Sequence, residues 1–109
     1  MTFEEYQKES KKTAIYPNIG NNYIYPILGL LGEAGEIANC IKKIQRDYND
    51  VLMPEHKDRI KKELGDITWY VSQIASELNL QFEEIASENL KKLFSRMERG
   101  VLQGSGDDR

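Results

Sequence analysis

Apolar residues recur along this chain at spacings of three and four and do not alternate in twos, which predicts helices throughout and argues against strands. Thr2 opens the first helix as an N-cap, with Glu5 at the capping-box position and Phe3, Tyr6 and Ser10 on one face, and this helix is expected to reach about Ala14. The stretch Tyr16-Pro17-Asn18-Ile19-Gly20-Asn21-Asn22 breaks the pattern and reads as a loop. Pro26 suits the first turn of a second helix running to about Gln45 or Tyr48, whose buried stripe is Leu30, Ala34, Ile37, Ala38, Ile41 and Ile44. Tyr48-Asn49-Asp50 and Pro54 mark a break short enough for an antiparallel return. The third helix, about Glu55 to Asn79, has the most regular stripe, Ile60, Leu64, Ile67, Val71, Ile74 and Leu78. A fourth opens at Gln81-Phe82-Glu83-Glu84 and carries Ile85, Ala86, Leu90, Leu93, Phe94 and Met97 to about Arg99. Residues 100–109 hold three glycines and no helical pattern, so the chain divides into a helical domain, 1–99, and a glycine-rich tail, 100–109. The expected fold is all-α, an up-and-down helical bundle.

Length bears on how that bundle is completed. A chain of 109 residues makes one domain with a single modest core, so amphipathic faces left over favour association with further copies. Fifteen basic and 18 acidic side chains leave a net charge of −3, so no basic face is offered to a long nucleic acid. One cysteine, Cys40, excludes an internal disulfide and suits a reducing compartment. No signal-peptide pattern opens the sequence and no apolar run is long enough for a bilayer, so the expectation is a soluble, cytoplasmic protein with no membrane partner.

Candidate chemistry enters through two near-repeats, Glu33-Ala34-Gly35-Glu36 and Glu63-Leu64-Gly65-Asp66, each followed by Ile. Acids three apart on a helix point to nearly the same side, and at roughly 100° per residue both pairs fall on the border of their apolar stripe. Two such helices facing each other would converge four carboxylates, which repel one another unless hard divalent cations with oxygen preference lie between them. That pattern points to Mg²⁺, with Mn²⁺ as a substitute, in a site that handles phosphate groups. His56 has no second His or Cys for zinc, and the absence of a Glu-x-x-His pair argues against a di-iron bundle. Asn89, Lys92 and Arg96 share one side of the fourth helix. Tyr16, Tyr23 and Tyr25 crowd the first loop and read as packing ahead of base stacking, and Trp69 reads as a core or subunit contact. Gly35 and Gly65 each weaken a helix by about 1 kcal/mol relative to Ala, so close helix approach beside the metals is the expected reason for them.

The sequence resembles the MazG-like all-α nucleoside triphosphate pyrophosphohydrolases. The resemblance rests on Glu33, Glu36, Glu63 and Asp66, on the stretches Leu28 to Glu36 and Glu63 to Tyr70, on Asn89, Lys92 and Arg96, and on the tail Gly104-Ser105-Gly106-Asp107-Asp108-Arg109. It departs from the family at Gly32, where many relatives carry a further Glu, and at Asp108, where one subgroup has Asn. What the resemblance implies is hydrolysis of a nucleoside triphosphate between its α- and β-phosphates, in a house-cleaning or nucleotide-pool role. Glu33, Glu36, Glu63 and Asp66 would be the metal ligands, Glu36 ahead of Glu33 the catalytic base, and Asn89, Lys92, Arg96 and Tyr70 the substrate contacts. It implies an active site formed by four helices in an oligomer, a homotetramer of paired dimers ahead of a dimer. The competing reading is a non-catalytic helical protein-interaction module whose acids are solvated.

Overall fold

The computed structural model describes all of residues 1–109 and contains four helices and no strand: α1 Phe3–Lys11, α2 Ile24–Asp47, α3 Pro54–Glu77 and α4 Phe82–Glu98. The order and rough extents agree with the hydrophobic pattern, and local chemistry sets the ends. The Thr2 hydroxyl accepts the Glu5 N–H at 3.0 Å, starting α1. That helix stops at Lys11 rather than near Ala14, because the Thr13 hydroxyl takes the Ser10 carbonyl at 2.7 Å and the backbone tightens into three-residue turns. α2 begins two residues before Pro26, where the Asn22 side chain accepts the Tyr25 N–H at 3.1 Å.

α3 starts at Pro54, with His56 Nδ1 accepting the Met53 N–H at 3.0 Å, so the lone histidine is a helix cap. α3 and α4 end alike. Asn79 (φ +56°) lets Leu80 N–H reach the Ala75 carbonyl at 2.8 Å, and Gly100 (φ +72°) lets Val101 N–H reach the Arg96 carbonyl at 2.9 Å.

Side-chain partners give the packing order. Gly29 faces Tyr70, Glu33 faces Glu63 and Asp66, and Glu36 faces Arg59, so advancing along α2 retreats along α3 and the two form an antiparallel hairpin. On the other side of α3, Gln7 meets Ser76, Ser10 meets Ser72 and Gln73, and Thr13 meets Trp69, an antiparallel α1. The α1–α3 seam is polar but satisfied: the buried Ser10 hydroxyl bonds both the Ser72 hydroxyl and the Gln73 amide, and Gln7 Oε1 also accepts the Phe82 N–H at 2.9 Å. Phe82 stacks on Phe3 at 4.5 Å, tying the start of α4 to the start of α1.

α4 touches α1 and α3 and does not touch α2, so a single chain does not close a four-helix bundle. Its Cα radius of gyration is 17.0 Å, against about 13 Å for a compact chain of this length. Only ten residues are buried, while Leu28, Leu31, Leu64, Leu90, Phe94 and Met97 are each more than half exposed. Apolar side chains on α2, α3 and α4 are therefore left uncovered within one chain: on α2, Leu28 and Leu31 lie outside the expected stripe, and within that stripe Ile44 is buried while Ala34, Ala38 and Ile41 are exposed. No helix is long and apolar enough to cross a membrane.

Candidate functional site

The two acidic motifs meet at the middle of the α2–α3 hairpin. One carboxylate oxygen from each of Glu33, Glu63 and Asp66 falls within 4.8 Å of the others. Glu33 carries the strain of that crowding. The hydrogen bond that its protonated form donates to the Glu63 carboxylate, then burial, then the charges of Glu63, Asp66 and Glu36, push its carboxyl up to about 7. Three hard oxygen donors that repel one another when ionised fit a small divalent cation, whose charge reverses that penalty. Glu36, the fourth acid of the motif pair, stands apart from this group of three. It is half exposed and lies 3.8 Å from Arg59 one turn further down the hairpin, a partner that spacing along α2 could not reveal.

Beside the acids opens a cavity of about 310 Å³ lined by Thr13, Glu33, Asp66, Trp69 and Tyr70. Tyr70 is one turn beyond Asp66. Burial, then the neighbouring Tyr25, Glu33 and Asp66, raise its phenol above the ordinary tyrosine value. The ring lies against α2 where a Cβ on Gly29 would be 2.1 Å from it, so this crossing requires glycine. Gly35 and Gly65 differ from expectation: a Cβ on either meets nothing within 4 Å, because both face away from the hairpin seam into open space.

The basic row of α4 lies elsewhere in the single chain. Asn89 and Lys92 line a separate cavity with Ile85, Glu88 and Asp107, sharing no residue with the acidic one. Lys92 Nζ is 2.9 Å from the Asp107 carboxylate. Arg96 is buried and donates to both the carbonyl and the carboxylate of Asp107, and its Nε has no partner. Arg109 folds back to donate to the carbonyls of Val101, Leu102 and Gly106, so the glycine-rich tail forms an ordered knot over the end of α4.

Glu77 had no place in the sequence reading. It accepts from the Tyr16 hydroxyl, from Gly20 N–H at 2.9 Å and from Asn22 N–H at 3.1 Å, and so holds the first loop to α3. Tyr16 is buried and stacked on Tyr25 at 4.9 Å, the packing role expected of it.

The site is thus an all-α hairpin carrying three converged carboxylates beside a cavity walled in part by Trp69 and Tyr70. Residues 25–101 match the family described as the MazG nucleotide pyrophosphohydrolase domain, and the chain belongs to that family. It is also 46% identical over 114 residues to the Gene 37 protein of Mycobacterium phage L5, with the whole of both chains covered. No solved structure matches it significantly.

Proposed function

We propose that the chain hydrolyses nucleoside triphosphates between the α- and β-phosphates, consuming one water and giving a nucleoside monophosphate and pyrophosphate. The observation that carries this is the convergence of Glu33, Glu63 and Asp66 beside the Trp69–Tyr70 cavity, in a chain of a pyrophosphohydrolase family. Those three carboxylates, with Glu36 beside them, would hold Mg²⁺ or Mn²⁺. Such an ion supplies charge neutralisation and polarisation of the phosphoryl oxygens. Glu36 keeps one face open to solvent and is steadied by Arg59, a position from which it takes the proton of the attacking water, with Glu33 the alternative base. Tyr70 lines the cavity from α3, its ring against α2 at Gly29, and contacts the bound nucleotide.

Asn89, Lys92 and Arg96 are the candidate triphosphate contacts, and in one chain they line or back a different cavity from the acids. Their approach to a nucleotide is therefore assigned to a second copy of the chain, in a dimer or a tetramer of paired dimers. The uncovered apolar faces of α2, α3 and α4 support that assembly.

Incubation with a panel of ribo- and deoxyribonucleoside triphosphates and Mg²⁺ is expected to release pyrophosphate, and Glu36→Gln and Asp66→Asn to abolish the release. Release that persists in both variants overturns the site. A chain that releases none and shows no Mg²⁺-dependent thermal shift is instead the helical interaction module. Light scattering that returns a monomer mass overturns the assembly.

A further inference from the structure

Trp69 is the only tryptophan in the chain, and the fold makes it neither core nor loose surface. Its indole N–H donates to Thr13 Oγ1 at 2.8 Å. That hydroxyl gives its own proton to the Ser10 carbonyl at 2.7 Å, so it can meet the indole only as acceptor, which fixes the indole's orientation. Tyr70 stands edge-on to Trp69, with ring centroids 5.1 Å apart and planes at 89°. The Tyr70 ring is itself held against α2 by the missing side chain of Gly29. Two aromatic walls at right angles thus form a corner whose geometry is set by Thr13, which itself lines the cavity, and by Gly29.

The cavity in front of this corner is bipolar. Glu33 and Asp66 give it carboxylates and the two rings give it apolar walls, within a volume suited to one small ligand. A nucleotide divides in the same way, a polyanion that needs a cation and a flat base that stacks. Of the other aromatic candidates, Tyr16 and Tyr25 are committed to each other, and Tyr23 does not line this cavity.

We infer that Trp69 and Tyr70 are the seat of the nucleobase, with Thr13 and Gly29 as positioning residues that set which bases the corner accepts. This rests on the hydrolase reading above, and it assigns that site its base-reading end. A base stacked on the indole is held through its π-face, and edge discrimination falls to the Thr13 side of the corner.

The test uses the full chain and its own fluorophore. Titration of the wild-type protein, in Mg²⁺, with nucleoside monophosphates of each base is expected to quench Trp69 fluorescence, while inorganic pyrophosphate, which has no base, leaves it unchanged. Trp69→Leu is expected to raise KM by roughly tenfold, with kcat altered far less, since stacking contributes on that order per base. Thr13→Val, which keeps the side-chain volume, frees the indole and is expected to change the ranking of bases in kcat/KM with little change in Tm. Hydrolysis that proceeds without monophosphate quenching, and with an unaltered KM in Trp69→Leu, overturns the seat and leaves the hydrolase standing. Base-dependent quenching without hydrolysis of any triphosphate supports the seat and overturns the hydrolase. Neither quenching nor hydrolysis overturns both.

Discussion

Arg96, its side chain 5% exposed, donates to both the main-chain and side-chain oxygens of Asp107. The guanidinium is thereby committed to the chain's own tail, and Lys92 shares the same carboxylate. The two hydrogen-bonded cations hold Asp107 below the usual carboxylate range. Asp107 itself is 79% exposed, so truncating it costs little folding energy. Its larger effect is on order: Asp107→Ala is expected to free the tail, so that limited proteolysis cuts near Gly104 to Gly106 sooner than in the wild type. Arg96→Ala removes a buried side chain and both bonds, and is expected to cost about 2 kcal/mol in urea unfolding. Equal stability of the two variants would show that the tail does not depend on Arg96.

Divalent cations should stabilise the fold through the same carboxylates that crowd one another without them. At one hundred times its dissociation constant a single ion adds about 2.7 kcal/mol. Thermal unfolding with Mg²⁺ or Mn²⁺ against chelator is expected to show a rise in Tm, absent in Glu63→Gln and in Asp66→Asn. Because those substitutions also relieve repulsion, each variant should melt above the wild type in chelator. A wild type that melts at one temperature with and without the ions contradicts the cluster's role.

How much of this was legible in the residues depends on range. Helix identity, the helix ends at Asn79 and Gly100 and the pairing of the two acidic motifs are local or periodic, so spacing alone carried them. Contacts between residues far apart in sequence left no such trace. Arg59 opposite Glu36, Glu77 beneath the first loop and Thr13 behind Trp69 all depend on which helices become neighbours and in what register. Glu36 shows the limit well: helical spacing puts it beside Glu33, yet α3 approaches so that its partner is a cation and the carboxylate group of three forms without it. The glycines show it again, since the one pressed by a ring is Gly29, which nothing in the pattern distinguished from Gly35.

Acid should loosen the first loop through Glu77. Burial pushes its carboxyl up, but hydrogen bonds from Tyr16, Gly20 and Asn22 outweigh burial and hold it below the usual glutamate range. A folded pKa below the unfolded one gives stability that is full above about pH 4.3 and is lost as pH falls through the folded value. Amide exchange at Gly20 and Asn22 is therefore expected to quicken, relative to intrinsic rates, only below that range. Glu77→Gln, which keeps the shape but not the charge, should lower stability by about 1–3 kcal/mol at neutral pH and flatten the acid limb. Exchange that follows its intrinsic pH dependence throughout would mean that the carboxylate does not anchor the loop.

The glycines of the α2–α3 hairpin separate what one chain needs from what an assembly needs. A Cβ at Gly29 would lie 2.1 Å from the Tyr70 ring, which is fixed in turn against Trp69, so Gly29→Ala forces that ring to move. The expected cost is about 1–3 kcal/mol, recovered in large part by the double variant with Tyr70→Ala, which removes the obstructing ring. At Gly35 and Gly65 a Cβ meets nothing within the chain, and helix propensity alone makes Ala the better residue by about 1 kcal/mol. Gly35→Ala and Gly65→Ala should therefore raise the stability of an isolated chain. If a second copy packs its helices against that face, the added methyl instead meets backbone or side chain, and stability falls in a way that depends on protein concentration. Denaturant melts of both variants across a hundredfold range of concentration distinguish the cases: a uniform gain marks an open face, and a loss that deepens as the assembly forms marks one covered by a partner chain.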